Sequence, residues 1–242
     1  MIETAFENNV SMKLSRAILL YEGDGRSYAT VHGMHTDHRG DQNIGEGSPV
    51  NVAMLASLTE KLGRNTAVGG YIPAHILSVG LDSLVWWVKP APRRVFFKTN
   101  EKIIGERSAV VPHPGLVFGI NSSGAWSVCA VEGNDRPLED TPLFQAPYFN
   151  VWDGGNICRG TVDVPKSISV EDTAKWEECF FSSNFVHPNV HGSMKLVKLK
   201  SGPYQFWKSM LDGNHKIFPK EVLVPMGGTL KDFIKKISGG EK

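Results

Sequence analysis

Four runs dominate the middle of the chain: SLVWWVK, RRVFFKT, GLVFGI and AWSVCAVE, all within residues 83–132. Each mixes β-branched and aromatic side chains over the length of one strand, a composition that suits a pleated, half-buried surface better than a helix. A short Pro-containing turn joins the first two, and NSSG joins the last two. This arrangement predicts two successive hairpins and hence a four-stranded antiparallel meander. Successive strand residues face opposite sides, so Trp86-Trp87 and Phe96-Phe97 must each serve two faces. One ring of each pair enters the core, and the other meets a second layer or an interface.

The flanks add helices. Apolar AILLY, the turn EGDG and then SYATVHG read as a hairpin between Lys13 and Gly33, with Asp24-Gly25 as its turn. HTDHRGDQNIGEGSP reads as a polar, Gly-rich loop. Ser48 as cap and Pro49 in the first turn open a helix through VNVAMLASLTEKLG, with Gly63 and Asn65 as stop residues. Pro137, Pro142 and Pro147 argue against helix or central strand in NDRPLEDTPLFQAPYFNVW. A helix is expected from Ser169 to about Ser183, with Glu171 and Asp172 at its positive end. YQFWKSMLDG and GTLKDFIKKI offer one or two more. The fold class is therefore α+β. Residues 1–47 read as a hairpin and loop extension, and residues 48–242 as one α+β unit.

Charge and cysteine usage narrow the function. With 26 basic and 25 acidic residues in 242, the basic excess of a nucleic-acid binder is missing. There is no apolar run long enough to span a membrane and no secretory leader pattern at the N-terminus. Three well-separated cysteines do not make a disulfide framework and suit a cytoplasmic setting. Neither a CxxC pair, a GxGxxG fingerprint nor a P-loop is present, so no metal or cofactor is expected.

The candidate sites centre on FNVWDGGNICRG, residues 149–160. Cys158 follows Gly154-Gly155 and precedes Arg159, and a neighbouring cation favours the thiolate. The alternative is a buried Ile157-Cys158 pair at a loop edge. Cys129, in WSVCAV, reads as a packed strand residue, and Cys179 as packed against Trp176 and Phe181. His32, His35 and His38 with Asp37 have metal-ligand chemistry, but their three-residue spacing suits neither face of a strand, and a solvated loop is the simpler reading. In FVHPNVHG, His187 is a candidate base for a cysteine hydrolase, whereas the His187-Pro188-Asn189 sequence, with His191 beyond it, also reads as a turn. Glu139, Asp140, Asp153 and Asp163 surround the cysteine in sequence. Any of them can orient or deprotonate an incoming nucleophile, and each is otherwise a solvated surface residue.

The order helix, meander, Pro-rich arm, Asn-containing turn, cysteine, helix resembles the ubiquitin-conjugating enzyme fold. That family carries a His-Pro-Asn tripeptide with its Asn eight positions before the catalytic cysteine, and Asn150 stands eight before Cys158. Gly155-Asn156-Ile157-Cys158 matches the family's Gly-x-Ile-Cys tail. Tyr148 and Phe149 replace the family's His and Pro, and Arg159 replaces its usual Leu. LVWWVKPAPRRVFF, NDRPLEDTPLFQAPYFNVW, ICRG and FVHPN, taken in order, resemble the bacterial PRTRC system protein B family, which is grouped with prokaryotic ubiquitin-conjugating-like proteins. The resemblance implies that Cys158 takes the C-terminus of a ubiquitin-like protein as a thioester from a ThiF-like adenylating enzyme and passes it to an amine. It implies a JAB-type peptidase in the same system. Asn150 would supply an amide to the oxyanion or brace the loop that does, with Asp153, Asp163 and Tyr148 as accessory candidates. The competing classes are a non-catalytic scaffold of the same fold, an unrelated cysteine hydrolase, and a structural component without chemistry.

Overall fold

The last two of the four runs pair with each other as an antiparallel hairpin, as expected, but the first two do not. The computed structural model describes residues 14–61, 71–190 and 195–239. Gly63, Asn65 and His191 therefore lie outside the described residues. The chain divides into two compact units, Met1–Val68 and Gly69–Lys242.

In the first unit, β1 (Arg16–Gly23) and β2 (Arg26–Thr36) form an antiparallel pair closed by Asp24 and Gly25. Both turn residues have positive φ, the backbone a two-residue hairpin turn requires. The expected polar loop is instead a turn followed by a third strand, β3 (Gln42–Pro49), antiparallel to β2. The Asp37 carboxylate accepts from the Arg39 and Asp41 amides, which shapes the turn and holds its pKa below the ordinary value. The glycines that signal a loop have another cause. A Cβ on Gly47 would stand 2.4 Å from the His32 ring carbon, so the strand residue beside that ring must be small. Ser48 and Pro49 consequently lie in β3, not at a helix start. The helix, α1 (Val52–Lys61), is capped by Asn51, whose side-chain oxygen accepts from the Met54 amide at 2.9 Å.

The second unit contains β4 (Ile76–Val79), β5 (Ser83–Val88), β6 (Pro92–Lys98), β7 (Glu106–Pro112), β8 (Gly115–Asn121), β9 (Trp126–Val131) and β10 (Pro142–Gln145). There follow α2 (Thr173–Phe181), β11 (Asn184–Phe185), α3 (Gly202–Leu211), β12 (Pro225–Thr229) and α4 (Leu230–Ile237). Six strands form one sheet in the order β12-β10-β9-β8-β5-β4, and three form another in the order β11-β6-β7. Thus β5 pairs with β8, while β6 pairs with β7 and, in parallel, with β11. This corrects the expected β5–β6 hairpin. Lys89-Pro90-Ala91 is a corner out of the large sheet, because Pro90 and Pro92 cannot donate to a ladder. The Pro-rich arm also holds a short interior strand, β10, which starts at Pro142 and lies between β9 and β12.

Every residue of β5 and β9 is buried, so both sheet faces are covered. Leu84, Trp86 and Val88 join Phe118, Phe180 and Trp207 in the main core. Val85 and Trp87 join Val117, Cys129, Phe233 and Ile237 on the opposite face, under α4. Of the other aromatic pair, Phe97 is buried and Phe96 half-buried. The amphipathic α4 is closed by a reciprocal cap between Thr229 and Asp232. Among the described residues no helix is long and apolar enough to cross a membrane.

Candidate functional site

Of the three thiols, only that of Cys158 is exposed. Cys129 is fully buried in β9, and burial pushes its thiol up to about 12. Cys179 is half-buried on α2 and donates to the Asp163 carbonyl oxygen at 3.3 Å. Its pKa is raised, first by burial and then by Glu178 and Asp163. Geometry thus resolves the two sequence readings of Cys158 in favour of an accessible side chain.

The thiol sits at the base of a small closed loop. Val151 and Ile157 form an antiparallel bridge, and the Trp152 amide donates to Asn156 O at 2.8 Å. The Cys158 amide donates to Asn150 O at 2.7 Å. The eight-residue step from Asn150 to Cys158 is therefore the length of one closed loop, with a turn at Asp153–Gly155 as its tip.

Neighbouring elements pin that loop. The Ile157 amide donates to Trp126 O at 2.8 Å, and Asn156 bridges to Ser127, both at the start of β9. Gln145 at the end of β10 donates to Trp152 O at 3.2 Å. Lys236 of α4 donates to Gly154 O at 3.0 Å. Gly155 has φ +90, and a Cβ there would meet Val128 O at 2.8 Å and the Cys129 sulfur at 3.1 Å. No L side chain fits that conformation or that space without movement.

Asn150 uses one N–H and the oxygen of its amide to bind the protein backbone. Its Nδ2 donates to Asn184 O at 2.6 Å, and its Oδ1 accepts from the Val186 amide at 3.2 Å. The side chain thereby ties the cysteine loop to β11, and in this state it is a brace. Tyr148 and Phe149 are both 0% exposed. Tyr148 packs among Phe180, Phe185 and Trp207, and burial raises its pKa. This corrects Tyr148 as an accessory group: it is a core ring that sets the floor under Asn150. Asp153 is half-buried in the loop tip, and Asp163, Glu139 and Asp140 are exposed.

The literal His187-Pro188-Asn189 runs beside the same loop. His187 is exposed, Asn189 is 2% exposed, and Asn189 bridges in parallel to Trp152. Sequence reasoning missed this contact together with Ser127, Gln145, Trp152 and Lys236. Only Gly154-Gly155 signalled the tight tip; the other residues are polar side chains without a local signature. His32 is hydrogen-bonded with Thr30 and the Gly45 carbonyl, and among the described residues no group of His, Cys, Asp or Glu side chains is arranged to hold a metal ion.

Residues 53–226 match the model of a protein family described as Prok-E2_D, prokaryotic E2 family D. Comparison with curated proteins and with solved structures gives no match.

Proposed function

Because the chain belongs to prokaryotic E2 family D, we propose that it carries a ubiquitin-like protein as a thioester on Cys158. The observation that carries this reading is an exposed thiol at the foot of a loop closed through Asn150 and pinned by β9, β10 and α4. An adenylating partner of the ThiF type presents the C-terminus of the ubiquitin-like protein as a thioester. The Cys158 thiolate attacks that carbonyl, a new carbon–sulfur bond forms, and the partner's thiol leaves. An amine then attacks the Cys158 thioester, gives up a proton, and releases Cys158 as thiolate. Each attack passes through an oxyanion, which a nearby amide donor stabilises. We assign Asn150 an indirect part in serving that oxyanion, by fixing the loop, a reading its two bonds to the backbone of residues 184–186 support. Asp163, exposed after the cysteine, and Asp153, in the loop tip, are the carboxylates we assign to the amine's proton.

The test mixes the protein with its cognate adenylating enzyme, ubiquitin-like protein and ATP. A thiol-sensitive adduct is expected. Cys158→Ser converts it to a stable ester or abolishes it, and Cys129→Ser leaves it intact. An adduct that persists in Cys158→Ala refutes the reading. The engagement of the Cys158 backbone N–H, and of one N–H and the oxygen of the Asn150 amide, in the resting fold favours a second reading, a non-catalytic scaffold that binds the ubiquitin-like protein or its adenylating partner. Co-purification with either partner, without any adduct, selects it.

A further inference from the structure

The sheet of the first unit has one free edge of unusual regularity. In the order β1-β2-β3, β1 pairs with β2, and among the described residues its other side is unpaired. Edge strands are ordinarily blunted by proline, lysine or a bulge. The β3 edge has such devices: Pro49, two glycines and a register shift against β2. The β1 edge has none, for Arg16–Gly23 runs eight residues in unbroken register without proline or lysine. It is also uncovered. No residue of β1 is buried, Ile18 is 49% exposed and Leu20 74%.

The hairpin turn fixes which backbone groups face outward. Gly23 and Arg26 flank the two-residue turn as a hydrogen-bonded pair, and such pairs alternate along an antiparallel ladder. Gly23, Tyr21, Leu19 and Ala17 therefore point their N–H and C=O groups at β2. Those of Arg16, Ile18, Leu20 and Glu22 point away from it, and the side chains of these four share one face. Along the strand that face is cation, apolar, apolar, anion. Such a pattern is complementary to itself when reversed. A second β1 laid antiparallel, with Leu19 on the two-fold axis, sets Ile18 against Leu20 and Arg16 against Glu22 on each side of the axis. All are outward positions, so each pair can exchange two backbone hydrogen bonds. On the other face Leu19 meets its own copy, and Tyr21 meets Ala17, large against small. A slip of one residue turns outward groups toward inward ones. A slip of two sets Arg16 against Leu20 or Glu22 against Ile18. Among the described residues neither Arg16 nor Glu22 has an ion-pair partner within its own chain.

We propose that two copies of this chain associate through antiparallel β1–β1 pairing, which joins their three-stranded sheets into one of six strands. The interface is isologous, as a two-fold pair requires. It is independent of the thioester chemistry.

The test is sedimentation equilibrium of the full chain over a concentration series. A reversible dimer is expected below roughly 1 mM, as suits a small interface. Arg16→Glu and Glu22→Arg each turn two attractions into repulsions and should weaken it roughly tenfold. The double variant Arg16→Glu/Glu22→Arg restores the opposite pairing and should return the native constant. Leu20→Lys should leave monomers. These positions are exposed, so the variants should keep the fold. Cross-linking reads the register in a Cys158→Ser background. Leu19→Cys sets two axis residues with Cα atoms about 4.5 Å apart, within disulfide reach, and should oxidise to a covalent dimer. Glu22→Cys separates its thiols by roughly 20 Å and should not. A chain that stays monomeric to that concentration overturns the proposal. So does a dimer indifferent to Arg16→Glu, a double variant no better than the single ones, or a Leu19→Cys chain that does not cross-link. Cys158→Ser alone should dimerise like the native chain, so failure here and failure of thioester transfer are read separately.

Discussion

Replacing Asn150 separates bracing from chemistry. In the resting structure its amide makes two hydrogen bonds to the backbone of residues 184–186, at 2.6 and 3.2 Å. At a half-buried position each is worth roughly 1 kcal/mol net, so Asn150→Ala should cost about 2 kcal/mol. Asn150→Asp can still accept from the Val186 amide, but it turns a carboxylate toward the Asn184 carbonyl. Loss of one bond plus that repulsion should make it no better than Ala at neutral pH. Urea denaturation followed by tryptophan fluorescence gives these differences, because Trp152 and Trp207 report on the loop and on the core under Tyr148. The adduct assay is then run where each variant is fully folded. A brace predicts a loss below about tenfold in the rate of adduct formation, because the loop is loosened but no transition-state contact is removed. A direct oxyanion donor predicts a loss of roughly 10²–10³. Unchanged stability combined with the larger rate loss would refute the bracing argument outright.

The thiols should differ in reactivity. Iodoacetamide at mildly alkaline pH should label Cys158 first and reach Cys129 only on unfolding, because the Cys129 thiol is buried and its pKa is pushed up to about 12. Peptide mass spectrometry reads the order, and early labelling of Cys129 contradicts the packing of β9. Acid should weaken the fold through His113. Its pKa is depressed from 6.5 to about 4, so the neutral ring contributes stability that is present above pH 6.5 and lost as pH falls through 4. The urea midpoint should drop between those values, and the drop should shrink in His113→Phe; an identical pH profile in that variant refutes the assignment.

Strand identity was legible where burial is two-sided. SLVWWV, GLVFGI and WSVCAV are buried throughout, and continuous apolar runs of that kind reveal themselves without knowledge of their partners. The β8–β9 pairing across NSSG was legible, whereas that of β5 with β6 was not, because a hairpin turn and a corner out of the sheet use the same prolines. ERSAVVP was missed since β7 is only half-covered and its alternation is weak. β3 was missed because its exposed, Gly-containing sequence is also what a loop carries. The eight-residue step from Asn150 to Cys158, to which the resemblance pointed, proves to be a closed loop. The partners of the Asn150 side chain lie 34 and 36 residues further on, beyond the reach of any local pattern. Tyr148 was misplaced because a residue adjacent to a motif need not share its exposure. The whole stretch from Gln145 to Phe149 is buried, and the Tyr148 ring lies in the core with its neighbours.

The loop that bears Cys158 is held by residues that a ribosome delivers at very different times. Trp126, Ser127 and Gln145 precede the cysteine, Asn184 and Val186 follow it within one helix, but Lys236 and the strand that completes the pairing of β10 come last. A nascent chain stalled before residue 225 thus exposes its thiol on a loop with one side unsupported. The acyl loading proposed above, carried out in the native loop geometry, then follows the arrival of the C-terminal helix.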